Sequence, residues 1–130
     1  MSAGPSPAAR AARMIERTRV SLAEETVTRE LTKDAARWAP WGDVARIRCL
    51  EDTQFHLTFL VAALTMGQAS LFTDYVAWLV PMLESRKVMR DDVIENFRVL
   101  GEVLRERLAP EEADVVIALL DAGIERARRV

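Results

Sequence analysis

The sequence predicts an all-α protein of about six helices. Three observations carry that expectation. Apolar residues recur at helical spacing through most of the chain. Proline, glycine and capping residues punctuate the chain at intervals suited to helices. No stretch alternates apolar and polar residues with the period of two that marks a half-buried strand.

The elements follow in order. Met1 to Ala8 holds Gly4, Pro5, Pro7 and two serines and reads as a disordered tail, leaving residues 9–130 as a single helical domain. From Ala9 the chain is rich in Ala, Arg, Glu and Leu. Ser21 and Glu24 have capping-box spacing, so one helix would end near Val20 and a second run from Leu22 to about Trp38; one bent helix is the alternative. The segment WAPWG, Trp38 to Gly42, breaks the pattern. Its two tryptophans either close one end of the core or wall a ligand pocket. Asp43 would cap a helix from Val44 to Met66, which Gly67 ends. Ser70 would cap Leu71 to Arg86, with Pro81 expected to kink or split it. Asp91 would cap Asp92 to Leu108, and Pro110 suits the first turn of a last helix reaching about Arg128.

Composition narrows the function. The chain has 130 residues, enough for one domain with one modest core. Its formal net charge of -2 argues against a general affinity for nucleic acid. The longest apolar stretch, Phe59 to Leu64, falls far short of the roughly 20 residues that span a bilayer. One cysteine makes no internal disulfide, and MSAGPSPAA lacks the apolar core of a signal peptide; a cytoplasmic location is expected. There is no GxGxxG, P-loop or GxSxG motif, and no acid–base constellation, so no enzyme is expected.

The stretch Arg46 to Leu64 holds the only cysteine and the only histidine. At about 100° per residue, Cys49, Asp52, Thr53, His56, Leu60, Ala63 and Gly67 share one stripe. Leu50, Leu57, Val61 and Leu64 form a second stripe, and Phe55, Ala62 and Met66 extend the apolar coverage on another side. Such a helix should be central to the fold. Its polar line is then buried or faces a cleft, and a buried carboxylate needs partners. One cysteine and one histidine do not supply a zinc site. Two helical turns put Cys49 and His56 roughly 10 Å apart, too far for direct proton transfer.

Cys49-Leu50-Glu51-Asp52, an aromatic, His56-Leu57, then Ala62-Ala63-Leu64 and Gly67 resemble the central helix of phycobiliproteins, the globin-fold chains that carry linear tetrapyrroles. Asp74-Tyr75 with the helix to Arg86, and then Asp91 to Leu108, are similar in order to the helices that follow in that family. The resemblance covers Val44 to Leu108 and implies a globin-like bundle shortened at its N-terminus, with a bilin of biliverdin or phycocyanobilin type as cofactor. It implies that Cys49 carries a thioether to the bilin, that Asp52 accepts its pyrrole N–H groups and that Arg48 and Arg46 pair with its propionates. His56 falls at an aromatic contact position, and Phe55, Phe59, Tyr75 and Trp78 would help to form the apolar cleft. A photosensory or chromophore-carrying protein follows from that resemblance. Glu51 departs from it, standing where the family has arginine.

The sequence is also similar to helical domains that precede cobalamin-binding modules in bacterial regulators, which implies a signalling or cobalamin-binding protein as a partner. It has no Asp-x-His-x-x-Gly motif of its own. Two further readings stand beside the bilin one. The first is a cofactor-free regulatory module acting as a homodimer, with Cys49 in the core and Asp52 paired with an arginine. The second is a haem-binding sensor globin using His56.

Overall fold

The computed structural model describes residues 4–130. Six α-helices follow one another: α1 (Pro7–Lys33), α2 (Ala35–Trp38), α3 (Asp43–Met66), α4 (Ser70–Ser85), α5 (Arg90–Arg107) and α6 (Pro110–Arg129). A 3-10 turn, Ala39–Trp41, joins α2 to α3. No strand occurs among the described residues, and no helix among them is long and apolar enough to cross a membrane.

Several boundaries differ from the sequence expectation, each for a local reason. Met1, Ser2 and Ala3 of the expected tail lie outside the described residues. The first helix already begins at Pro7, because the Ser6 hydroxyl accepts the Ala9 N–H at 3.1 Å and proline suits the first turn. The Ser21–Glu24 capping box does not form: Arg107 of α5 donates to the Ser21 hydroxyl instead. α1 continues through that point and breaks earlier, at Thr18 (φ -118, ψ 15), whose hydroxyl donates to the Met14 carbonyl at 2.8 Å. Asp34 then leaves helical geometry and separates α1 from α2.

Asp43 and Ser70 are the first residues of their helices rather than the caps, and Met89 rather than Asp91 caps α5. There the Asp92 carboxylate, three residues on, accepts the Met89 N–H at 2.9 Å. Pro81 does not split α4, which runs unbroken through it. The ring faces outward and only removes the donor for the Ala77 carbonyl. Gly67 closes α3 in a left-handed conformation that costs glycine nothing, with its N–H on the Ala63 carbonyl.

α1 lies antiparallel to both α3 and α5. Arg19 reaches Gln54 and Thr58 of α3, while Arg46 near the start of α3 reaches Thr28 of α1. Lys33 pairs with Glu102, and Arg107 with Glu25, along the seam with α5. The core between these helices is apolar. Ile15, Leu22, Leu57, Leu60, Phe72, Phe97, Leu100 and Leu120 are all fully buried.

α6 closes on α4 at Gly123. A methyl group there would lie 2.4 Å from Cε2 of Phe72, which is itself wholly buried. Gly123→Ala should therefore lower stability by about 1–3 kcal/mol in denaturant melts. Gly101→Ala, whose added carbon finds nothing nearer than Leu120 at 3.7 Å, should instead gain up to about 1 kcal/mol from helix propensity.

Candidate functional site

The N-terminal half of α3, the end of α4 and the Trp38–Trp41 turn enclose a cleft of about 550 Å3. Trp41, Val44, Arg48, Glu51, Asp52 and Arg86 are among its walls, with Leu83 and Val88 at its floor. It continues inward past Asp52 into a niche of about 40 Å3 bounded by Glu30, Trp38, Cys49, His56, Asp92 and Asn96. A larger groove of about 680 Å3 lies elsewhere, along Ala9 to Arg17 of α1 and Val61 and Thr65 of α3. Arg13, Glu16 and Arg17 are exposed at its rim, and Arg10 is already paired with Glu112 there. The smaller cleft is the one that gathers buried chemistry.

At the bottom of the niche sits a polar cluster contributed by three helices. Glu30 of α1 is buried. Its Oε2 accepts Asn96 Nδ2 of α5 at 2.7 Å and the Cys49 thiol of α3 at 3.3 Å. Asn96 Nδ2 also donates to Thr53 Oγ1 at 3.2 Å, and Thr53 donates to the Cys49 carbonyl at 2.7 Å. Asn96 Oδ1 has no hydrogen-bond partner among the described residues. Burial pushes the Glu30 carboxyl up to about 7. Burial, and then the neighbouring Glu30, push the Cys49 thiol far up, so it stays protonated at neutral pH.

Asp52 stands where the niche opens into the cleft. Among the described residues its side chain makes no hydrogen bond or ion pair. Burial, then the charge of Glu51, raise it to about 6 against the pull of Arg86 and Arg48. Those two arginines also make no ion pair among the described residues, and both border the cleft. His56 is held neutral, its pKa lowered to about 3 by burial. Its Nδ1 lies 2.7 Å from the Tyr75 hydroxyl, and its ring meets Phe97 edge-on at 4.9 Å. Trp38 and Trp41 pack edge to face at 6.3 Å, with the Arg37 guanidinium 4.5 Å from the Trp38 ring centre.

The residues singled out from the sequence part into two groups. Arg48, Cys49, Asp52 and His56 line the cleft and niche, and both tryptophans wall it. The others do not. Arg46 is directed to Thr28 on the α1 side. Tyr75 stands behind His56, and Phe59 stacks on Tyr75 at 4.1 Å with the rings 9° apart. Trp78 lies beyond Tyr75 at 6.4 Å and is exposed. Phe55 and Met66, expected to extend the apolar coverage of α3, are exposed as well.

Sequence reasoning missed Glu30, Asn96, Asp92 and Arg86. Glu30 had a signal. It continues the face of Ala23, Thr26 and Val27 at helical spacing, and all four are buried. Among the described residues no group of three or more His, Cys, Asp or Glu is arranged to hold a metal ion. Compared with protein-family models, curated proteins and solved structures, the chain matches none.

The raised carboxyl of Glu30 makes stability depend on pH in a defined direction. The folded chain keeps this proton up to about pH 7, whereas an unfolded glutamate releases it near 4.5. The folded state binds more protons between those values, so its contribution is full below pH 4.5 and falls as pH rises to 7. The loss is roughly 3 kcal/mol. Asp52 acts in the same direction. His56 acts oppositely: its lowered pKa removes stability as pH falls below 6.5. Glu30→Gln keeps the acceptor and removes the titration. Its stability relative to wild type should grow from pH 5 to pH 7.5, read from urea melts at each pH.

The enclosed, protonated Cys49 should react with a disulfide reagent at pH 7.5 at least about ten-fold more slowly than in the urea-unfolded chain. Equal rates would mean that the niche opens freely.

Proposed function

We propose that this chain is a globin-like helical domain that binds a bilin noncovalently in the Trp41–Asp52–Arg86 cleft, as a photosensory or chromophore-carrying protein. One observation carries the reading. Asp52 is a half-buried carboxyl with no side-chain hydrogen bond or ion pair among the described residues, on a cleft that also holds two arginines without ion pairs. A buried carboxylate without a partner is costly, so the site favours a ligand that brings donors. The arginines favour a ligand that also carries carboxylates.

An open-chain tetrapyrrole has both features on one flat apolar body. It is the member of that class to which the resemblance at Cys49-Leu50-Glu51-Asp52 points. Its contribution when bound is visible absorption. The residues that would hold it are Asp52 toward the pyrrole N–H groups, Arg48 and Arg86 toward the propionates, and Trp41 against the ring plane. A cleft of about 550 Å3 is in the range of a cofactor site of this size.

The noncovalent form rests on Cys49. Its thiol is turned into the 40 Å3 niche and committed to Glu30, and a protonated thiol is a poor nucleophile. The unpartnered Oδ1 of Asn96 belongs to that niche and leaves an acceptor for a water or for a ligand N–H.

The test is co-expression with a pathway that makes biliverdin or phycocyanobilin, followed by absorption spectroscopy. A red-shifted visible band should appear, weaken in Asp52→Ala and leave the chain on acid-urea denaturation. A thioether would instead keep colour on the denatured chain and lose it in Cys49→Ala. A folded but colourless protein would sink the bilin reading. The cofactor-free dimeric module would then stand, and it has its own support in the exposed apolar side of α3.

A further inference from the structure

The cluster at the bottom of the niche has committed its donors and kept its acceptors. Both amide N–H groups of Asn96 are used, toward Glu30 Oε2 at 2.7 Å and Thr53 Oγ1 at 3.2 Å. The Cys49 thiol donates to the same Oε2, and the Thr53 hydroxyl to the Cys49 carbonyl. Two acceptors remain. Asn96 Oδ1 has no hydrogen-bond partner among the described residues, and Glu30 Oε1 takes neither of the bonds to that carboxyl. Both side chains are more than nine-tenths buried, Asn96 at 5% exposure and Glu30 at 3%. Turning the amide over would set Oδ1 against Oε2 of an ionised Glu30, acceptor against acceptor.

We propose that the niche is a binding site for one primary ammonium group, held by Asn96 Oδ1 and the Glu30 carboxylate, with Asp52 at its entrance. The charges select a cation over a water. Three carboxyls border the niche, those of Glu30, Asp52 and Asp92. Asp92 is paired with Arg37 at 2.7 Å, whereas Glu30 and Asp52 have no ion pair among the described residues. Lys33, on the helix of Glu30, reaches to Glu102 instead. Arg48, the one cation bordering the niche among the described residues, is exposed. Glu95 of α5 and Asp34 at the end of α1 add negative charge nearby, and Cys49 and His56 are neutral.

Size and hydrogen bonding select a primary amine. A water needs roughly 10–15 Å3 of such space, so a niche of about 40 Å3 takes a group of two or three heavy atoms. A quaternary ammonium is larger and has no N–H to donate. The carbon chain of the amine would leave past Asp52, along Leu83 and Val88, which border both niche and cleft.

A proton balances the exchange. Glu30 holds one up to about pH 7, and the ammonium replaces it: the carboxylate keeps the electron pair and the proton leaves to solvent. Binding therefore tightens as pH rises through 7. The ammonium group enters with no tetrapyrrole in the outer cleft, so this site stands or falls apart from the bilin reading.

The probe is methylammonium chloride, exchanged for sodium chloride at constant ionic strength up to about 200 mM, because two heavy atoms allow a dissociation constant no tighter than roughly 5 mM. The readout is the side-chain amide signal of Asn96 in nitrogen–proton correlation spectra of the full chain. It should shift saturably at pH 8, with binding at least about ten-fold weaker at pH 5.5. Glu30→Gln, with unchanged circular dichroism, should weaken binding at pH 8 at least about ten-fold. No saturable shift over that range would leave the acceptors to water and overturn the proposal. An equal shift with tetramethylammonium, or undiminished binding in Glu30→Gln, would also overturn it, as a general effect of salt.

Discussion

One buried carboxyl ties the bundle together. Glu30 is the buried side chain that hydrogen-bonds α1 to both α3 and α5, where the other polar links between these helices lie nearer the surface. Hydrophobic burial sets no register, whereas hydrogen bonds at 2.7 and 3.3 Å fix which turn of each helix faces which. Glu30 engages Cys49 two turns into α3 and Asn96 two turns into α5, and Thr53 closes the set. The cost of desolvating the carboxyl is met by keeping it neutral over most of the acid range, where a neutral acid accepts and donates without a buried charge. A lysine or arginine at Asn96 would have paired the charge and removed this sensitivity. The amide retains it.

The same cluster explains why the cleft stops where it does. Asp52 and Cys49 lie one turn apart on α3, yet they have different surroundings. Cys49 is enclosed by Glu30 and Asn96, and Asp52 faces the wider cleft beside Arg48 and Arg86. Along a single helix, chemistry thus changes from structural to available over one turn. Further round the same helix the side chains turn outward, and Val44 and Glu51 belong both to the cleft wall and to the outer side that carries Phe55. α3 therefore serves the core, the cleft and the outer surface at once, which accounts for apolar residues spread over so much of its circumference.

How much of this could be read from the sequence depends on how local the determinant is. The helical class, the stop at Gly67 and the start at Pro110 depend on a few adjacent residues and were legible. The placement of Cys49, Asp52 and His56 toward one side followed from helical spacing alone. Caps were legible only to within one or two residues. Ser6 and Asp92 did the capping, and Asp43, Ser70 and Asp91 sat one or more residues inside. The Ser21 box failed for a tertiary reason, since Arg107 lies 86 residues away in sequence and takes that hydroxyl. The meeting of residues 30, 49 and 96 is likewise nonlocal. The register of Glu30 gave its burial, but nothing in the sequence named its partners.

The break at Thr18 gives α1 a mechanical character that a single rod would lack. A straight helix of 27 residues would be about 40 Å long and would carry any tilt at the Glu30 end to Pro7 as a rigid lever. The non-helical residue makes it a jointed lever. Its first arm is held by Arg10 to the start of α6, and its second by Glu30 to α3 and α5. A change in the protonation or packing of the Glu30 cluster can then be absorbed at the joint. The two arms are seated on different neighbours, the first on α6 and the second on the helices that wall the cleft.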